Sequence, residues 1–173
     1  MIKTDNSHLR EKILLRQETV KDGYNVLDCF AGTGLIWSNV KGSFSVVSIE
    51  KEKGKNKLAL CGDNVKFLKM MDLSKYHIID LDAYGIPFAQ LEVIFQKRYK
   101  GIVHVTAIQT GTGKLPNGLL EKLGYTKKMI EKISILYNAD GFGKLKKYLY
   151  LRGVKQITGY QVGRKNYFYF KTV

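Results

Sequence analysis

The chain is poor in the residues that build disulfide frameworks and metal sites. Its 173 residues include two cysteines, three histidines and two prolines. Two cysteines cannot form a disulfide framework, and because Cys29 and Cys61 both lie in apolar, strand-like runs, we expect two buried thiols in a reducing compartment. The histidines are scattered and neither cysteine has a close partner in the sequence, so we predict no metal site.

Long apolar runs are also missing. No run approaches the roughly 20 apolar residues that a membrane-spanning helix needs, so we predict no membrane segment. The first ten residues are polar and mixed in charge, which is not typical of a signal peptide, and we expect a cytoplasmic protein. The content of 45% hydrophobic and 25% charged residues is that of a folded chain, and the length favours a single domain over residues 1–173.

Acidic residues are scarce beside basic ones. The chain has 15 Asp and Glu against 29 Lys and Arg, a net charge of +14. Residues 111–173 hold 13 of the basic and 3 of the acidic residues, together with 10 of the 20 aromatic residues. Basic side chains interleaved with aromatic rings suit a polyanion with exposed bases, so we predict a nucleic-acid partner. The alternative is a solvated lysine-rich surface around buried aromatic residues.

The alternation of strand-like and helical segments as far as Gln109 predicts an α/β fold. It is typical of a Rossmann-like, doubly wound, mostly parallel sheet with helices on both faces. The last two strand-like segments are joined at residues 163–165 and predict an antiparallel C-terminal hairpin, which completes a seven-stranded sheet. The predicted strands are Tyr24–Phe30, Ser45–Glu50, Lys57–Cys61, Tyr76–Asp82, Gly101–Gln109, Val154–Val162 and Asn166–Lys171.

Two further segments carry expectations about local structure. His8 to Val20 is predicted to be an amphipathic helix. Its buried face is expected to hold Leu9, Ile13, Leu14 and Val20. For the segment Lys127–Tyr137 two predictions stay open: a helix, or a helix that crosses into a strand.

A glycine-rich turn follows the first predicted strand, in the run DCFAGTG at 28–34. Glycine lets the backbone pass close to a ligand, and the helix that follows offers free N–H groups. Glu50 ends the next strand, where a carboxylate can accept hydrogen bonds from ribose hydroxyls. Trp37 stands where a dinucleotide fingerprint needs its third glycine, which argues against a nicotinamide cofactor.

These motifs resemble those of the seven-stranded (class I) S-adenosylmethionine-dependent methyltransferases. The glycine turn is similar to their first motif, Glu50 to their acidic ribose ligand, and the run GDN at 62–64 to their adenine-side motif. The resemblance implies S-adenosyl-L-methionine as the cofactor. It implies a cofactor site made of Asp28, Phe30, Ala31, Gly32, Gly34, Glu50, Lys51, Asp63, Asn64 and Asp80.

The run DLDAYGIP at 80–87 ends the fourth predicted strand. It resembles the Asp-x-Asp-Pro-Phe-Gly-x-Pro motif of the tRNA guanine exocyclic-amine dimethyltransferases, with Ala83 in place of the first proline. The resemblance implies that Asp82 accepts hydrogen bonds from the target amine and takes up its proton, and that Tyr84 stacks on the base. Asp80 would shape the site beside them, because residues two apart on a strand share a face.

We therefore predict a methyltransferase that acts on an exocyclic amino group of a nucleic-acid base, with RNA favoured over DNA. Two alternatives stay open. One is a small-molecule or protein methyltransferase. The other is a non-catalytic, methyltransferase-like module that binds nucleic acid or protein, because Ala83 leaves the loop without the stiffness that proline would supply.

Overall fold

The computed structural model describes residues 8–109 and 113–172, and within them a seven-stranded mixed sheet forms the centre of the molecule. The strand order is β3-β2-β1-β4-β5-β7-β6. Strands β1 to β5 are parallel, and β7 is antiparallel to both β5 and β6. The predicted mostly parallel sheet with a C-terminal hairpin is confirmed. The strands are β1 Asn25–Asp28, β2 Ser45–Glu50, β3 Leu60–Cys61, β4 Ile78–Asp82, β5 Ile102–Ile108, β6 Ile157–Val162 and β7 Lys165–Lys171.

Helices cover both faces of the sheet, and the strands supply each face with alternate residues. Ile79 and Val103 belong to a large core cluster with side chains from α3, α4, α5 and α8, whereas Ile78 and Ile102 belong to a second cluster with Trp37 of α2. This alternation follows from the two-residue period of a strand. The helices are α1 Leu9–Thr19, α2 Leu35–Ser38, α3 Asn64–Met70, α4 Phe88–Gln96, α5 Asn117–Lys122, α6 Lys127–Lys132, α7 Ser134–Asn138 and α8 Gly141–Leu151.

The ambiguous segment at 127–137 forms two short helices and no strand. Thr126 caps α6 by accepting a hydrogen bond from the Met129 amide, and α7 follows after a break at Ile133. Of the two alternatives, the helix is confirmed and the crossing into a strand is wrong. The expectation of two buried thiols is wrong for Cys61, which lies on the edge strand β3 and is exposed, and right for Cys29, which is buried.

Helix α1 lies where it was expected, and Ile13 and Val20 of its predicted face pack against the second core cluster, but its most deeply buried residues differ from those predicted. The buried residues are Lys12, Leu15, Arg16 and Thr19, while Leu14 is 45% exposed. The prediction failed because it placed every charged side chain in solvent. Here Lys12 and Arg16 are buried against two carboxylates of β4. No described helix is both long enough and apolar enough to cross a bilayer.

Candidate active site at the carboxyl edge of the sheet

The first strands of the sheet end at a common edge, where a cavity of about 310 Å³ opens. We call it the central cavity. Loops that follow β1, β2 and β4 form its walls, and α1 and β5 close it. Crevices at this edge are the usual ligand sites of open α/β sheets. Its walls include Lys12, Gly32, Glu50, Asp82, Tyr84 and Thr106.

Glu50 and the glycine turn hold each other in place. One oxygen of the Glu50 carboxylate accepts a hydrogen bond from the Gly32 amide at 2.7 Å, and the other accepts one from the Glu52 amide at 2.9 Å. Gly32 and Gly34 have φ angles of 55° and 80°, in the left-handed region that favours glycine. A carboxylate has about four lone-pair sites, so Glu50 keeps capacity to accept bonds from a ligand.

A second cavity of about 270 Å³, the side cavity, lies across Phe30 and Glu50, which line both cavities. Its walls also include Lys51, Asp63 and Asn64. The predicted cofactor residues Phe30, Ala31, Gly32, Glu50, Lys51, Asp63 and Asn64 therefore line one cavity or the other.

Asp63 and Asn64 have local partners of their own. Asp63 caps α3 by accepting a hydrogen bond from the Lys66 amide at 2.9 Å. The Asn64 amide nitrogen donates to the Cys29 carbonyl at 2.8 Å, and its oxygen accepts from Gln90 at 2.8 Å. These bonds fix the end of β1 against the start of α3, so the wall of the side cavity is formed before a ligand binds.

Asp82 lies on the opposite wall of the central cavity. The Lys12 ammonium donates to one of its oxygens at 2.8 Å, and the Thr106 hydroxyl donates to the other. The side chains of Lys12 and Asp82 are only 8% and 12% exposed. Tyr84, two residues further, is 78% exposed, so its ring is open to a partner from solvent.

Asp80 shares a strand face with Asp82, as the two-residue spacing predicted, but it lies deeper and lines neither cavity. The Arg16 guanidinium binds both of its oxygens, and the Trp37 indole N–H donates to one of them at 2.8 Å. These partners hold the Asp80 carboxylate in the interior beneath the central cavity.

Asp28 is also buried below the cavities, 4% exposed, and accepts a hydrogen bond from the Phe30 amide at 3.2 Å. Burial raises the pKa of the Asp28 carboxyl well above its ordinary value, and the nearby carboxylates of Asp80 and Asp82 raise it further. The hydrogen bond from the Phe30 amide to Asp28 stabilises the start of the glycine turn.

Sequence reasoning missed Lys12 and Arg16, although their spacing carried a signal. Residues four apart on a helix advance by about 6 Å, and residues two apart on a strand advance by about 6.6 Å. A basic pair at positions i and i+4 of a helix therefore matches an acidic pair at i and i+2 of a neighbouring strand. Here Lys12 pairs with Asp82, and Arg16 pairs with Asp80.

The aromatic residues of the basic C-terminal region range from buried to exposed, and Tyr125, Tyr137, Phe142 and Tyr169 are half-buried. Tyr148, Tyr167, Phe168 and Phe170 are buried in the core, as the alternative interpretation expected for aromatic residues. Tyr150 and Tyr160 are 52% and 39% exposed and line a shallow groove between α8 and β6 together with Lys146. In the described part of the chain, no group of three or more His, Cys, Asp or Glu side chains is placed to hold a metal ion.

Comparison with known proteins identifies the fold. No family model matches the sequence, and no curated protein matches it. A S-adenosylmethionine-dependent methyltransferase from Archaeoglobus fulgidus superposes with a TM-score of 0.56 at 11% identity, over 93% of this chain and 92% of that one. A protein of Clostridium thermocellum assigned as an rRNA methylase superposes with a TM-score of 0.55 at 14% identity, over 100% and 98% of the two chains. The chain thus has the Rossmann-like fold of the class I methyltransferases.

Proposed function

We propose that this protein is a S-adenosylmethionine-dependent methyltransferase that methylates an exocyclic amino group of a nucleic-acid base, with RNA favoured over DNA. The observation that carries the proposal is the central cavity, where the glycine turn and Glu50 face Asp82 and Tyr84 across about 310 Å³. One wall is suited to a nucleoside cofactor and the other to the hydrogen-bond donors of an amine.

The two cavities at the edge of the sheet fit the cofactor by the chemistry of their walls. Glu50 lies between them with lone pairs available for ribose hydroxyls. On the side-cavity wall, Phe30 offers an apolar surface for a flat ring, and Asp63 and Asn64 offer polar groups at its rim. Gly32 and the turn around it line the central cavity, where we place the amino-acid end of the cofactor. When bound there, S-adenosylmethionine supplies an electrophilic methyl group.

Asp82 is the residue we propose to orient the acceptor. An exocyclic amine donates its lone pair to the ring, so it is a poor nucleophile until its hydrogens are held out of the ring plane. The Asp82 carboxylate has lone pairs left beside Lys12 and Thr106, and it can accept an amine N–H. After transfer the amine loses one proton, which the carboxylate or water accepts. Lys12 and Thr106 fix the carboxylate in one orientation, which favours positional catalysis.

Tyr84 is proposed to stack on the same base, since its ring is exposed at the mouth of the cavity. A base in a paired region has to leave its stack to reach Asp82. The basic surface around α8, with Lys146 and Lys147, supports a nucleic-acid acceptor because it can neutralise phosphates.

A non-catalytic binding module is a second candidate, favoured by the Lys12–Asp82 ion pair and by Ala83. Incubation with methyl-labelled S-adenosylmethionine and separate pools of RNA, DNA and protein distinguishes the two. If the protein is the proposed methyltransferase, we expect label in RNA with the wild type and no label with Asp82→Ala. Binding of the cofactor without label in any pool would favour the binding module, and label in protein alone would favour a protein methyltransferase.

A further inference from the structure

We propose that a third cavity binds a nucleobase through its exocyclic amino group, and that this base belongs to a nucleotide flanking the methylated one. The cavity lies between the β6–β7 turn and the start of α8, and we call it the hairpin cavity. The proposal rests on the nucleic-acid substrate proposed above. It adds a sequence-reading subsite outside the central cavity.

The hairpin cavity has the size and walls of a site for a single flat ring. Its volume is about 200 Å³, below the range of about 300–1,000 Å³ that is typical of drug-sized ligands. Ile86, Ala107, Phe142 and Leu145 supply apolar surface. Such walls favour a heterocycle, and the polar groups among them decide which one.

Asn166 is the polar group that most needs a ligand. It lies on β7, is 5% exposed and lines the hairpin cavity. Its side-chain oxygen is buried and has no hydrogen-bond partner among the described residues. Buried polar atoms are nearly always satisfied, so an acceptor without a partner, on a residue that lines a cavity, points to a donor that arrives with a ligand.

Two neighbouring groups make the cavity rich in acceptors. The Gln109 amide nitrogen donates to the carbonyls of Gly113 and Asn138, at 2.8 and 2.7 Å, so its side-chain oxygen is the acceptor that Gln109 adds to the cavity wall. Asp140 adds a carboxylate at the start of α8. Together with Asn166 these oxygens favour a ligand that presents N–H donors, and an exocyclic amino group presents two on one nitrogen.

The hairpin cavity and the central cavity lie near each other along the edge of the sheet. A shallow cavity between them shares Ile108 with the central cavity and Ile86 with the hairpin cavity. Lys114 lines this shallow cavity and Arg164 lines the hairpin cavity, so each of them offers a cation for a phosphate. This arrangement suits a single strand whose target base enters beside Tyr84 while a flanking base enters beside Asn166.

The first test is a titration followed by the side-chain amide NMR signal of Asn166, without S-adenosylmethionine. The probes are AMP and CMP, each compared with the 5′-monophosphate of its analogue without the amino group. We expect saturable shifts with AMP, CMP or both, and at least tenfold weaker binding of the matching analogue. Equal binding of a nucleotide and its analogue, or no saturable shift with either nucleotide, overturns the proposal.

The second test uses variants and short single-stranded oligonucleotides. Binding of the responsive nucleotide to Asn166→Leu, followed by Phe142 and Arg164 signals, should weaken at least tenfold. Asn166→Asp keeps an acceptor and should retain the preference for the amino group. Thr158→Val on β6 is the matched control in the same hairpin and should bind as the wild type does. Oligonucleotides that contain the preferred base should bind more tightly than the free nucleotide.

The outcomes separate this subsite from the proposed function. If Asn166→Leu binds the nucleotide as well as the wild type, the subsite is wrong even where methyl transfer occurs. If free nucleotides bind but oligonucleotides do not, the flanking-nucleotide assignment is wrong. Binding with the expected preferences in the absence of any methyl transfer would support the subsite and overturn the catalytic proposal alone.

Discussion

Arg16 and Asp80 form a buried two-point ion pair, with Nε to Oδ2 at 2.7 Å and Nη2 to Oδ1 at 2.6 Å. Arg16 is 1% exposed, and the pair joins α1 to the middle strand of the sheet directly beneath Asp82. Because Lys12 pairs with Asp82 one helical turn away, the same helix fixes both acids. This wall of the central cavity therefore depends on α1.

Arg16→Met should destabilise the protein by about 3–5 kcal/mol, because it leaves the Asp80 carboxylate buried without its cation. Urea denaturation measures this change. The double variant Arg16→Met/Asp80→Asn should recover part of the loss, since asparagine keeps an acceptor for the Trp37 indole and carries no charge. A double variant no more stable than Arg16→Met would show that the unpaired charge is not the cause.

His104 should make the fold sensitive to acid. Its side chain is fully buried on β5, with Nε2 at 2.7 Å from the Thr19 hydroxyl, and burial together with the Arg16 charge lowers its pKa well below 6.5. The unfolded chain then binds a proton that the folded chain does not, so stability falls as the pH drops below about 6.5. The expected slope approaches 1.4 kcal/mol per pH unit.

Unfolding free energies of the wild type and His104→Gln, measured between pH 4.5 and pH 8, isolate this contribution. Glutamine can still contact Thr19 but does not titrate. The difference in stability between the two proteins should be constant above about pH 7 and should shift in favour of the variant below about pH 6. Two parallel curves over the whole range would contradict the assignment.

Glu50→Gln should weaken binding of S-adenosylmethionine by about 1–3 kcal/mol, the scale of hydrogen bonds to a charged group. Isothermal titration calorimetry measures the change. Glu131→Gln is the matched control, because Glu131 is an exposed acid on α6 outside the walls of both cavities. Equal affinities of the wild type and Glu50→Gln would remove Glu50 from the cofactor site.

Asp82 and Tyr84 are expected to act on the acceptor and not on cofactor binding. Asp82→Asn should lower turnover by about 100-fold or more, the range for a positioned acid–base group, and Asp82→Ala should lower it further. Tyr84→Ala should lose about 1–3 kcal/mol of stacking in binding of the acceptor, and Tyr84→Phe should be nearly unchanged. The affinity of each variant for S-adenosylmethionine, measured in parallel, should stay within a few-fold of the wild-type affinity. Loss of cofactor binding in Asp82→Ala would instead assign this residue to the cofactor site.

The sheet could be predicted from sequence because its pattern is local. Strand β2 was predicted with its observed bounds Ser45–Glu50, and the closing hairpin followed from alternation around the turn at 163–165. Half of the predicted strand ends lie further inward in the structure, as for β4, which begins at Ile78 and not Tyr76. The end of a strand depends on where the neighbouring strand stops supplying hydrogen bonds. The sequence of a single segment does not contain that information.

The inward face of α1 could not be predicted in the same way. Helical periodicity places Arg16 on the face of the predicted apolar residues and Lys12 beside it, but charged side chains are expected in solvent. Only the carboxylates of β4 make their burial favourable. The burial of Asp80 could not be predicted either, because its partners Arg16 and Trp37 lie on two different helices. The hairpin cavity depends on residues far apart in the chain, such as Asn166 and Gln109, and had no sequence motif.

The central claim is that the methyl group goes to an exocyclic amine of a base. The direct measurement is digestion of the methylated acceptor to nucleosides, followed by mass spectrometry that locates the methyl group. The account predicts a nucleoside methylated on the exocyclic nitrogen of adenine, cytosine or guanine, formed by the wild type and not by Asp82→Ala. A methyl group on a ring carbon, a ring nitrogen, a ribose hydroxyl or a protein side chain would contradict it.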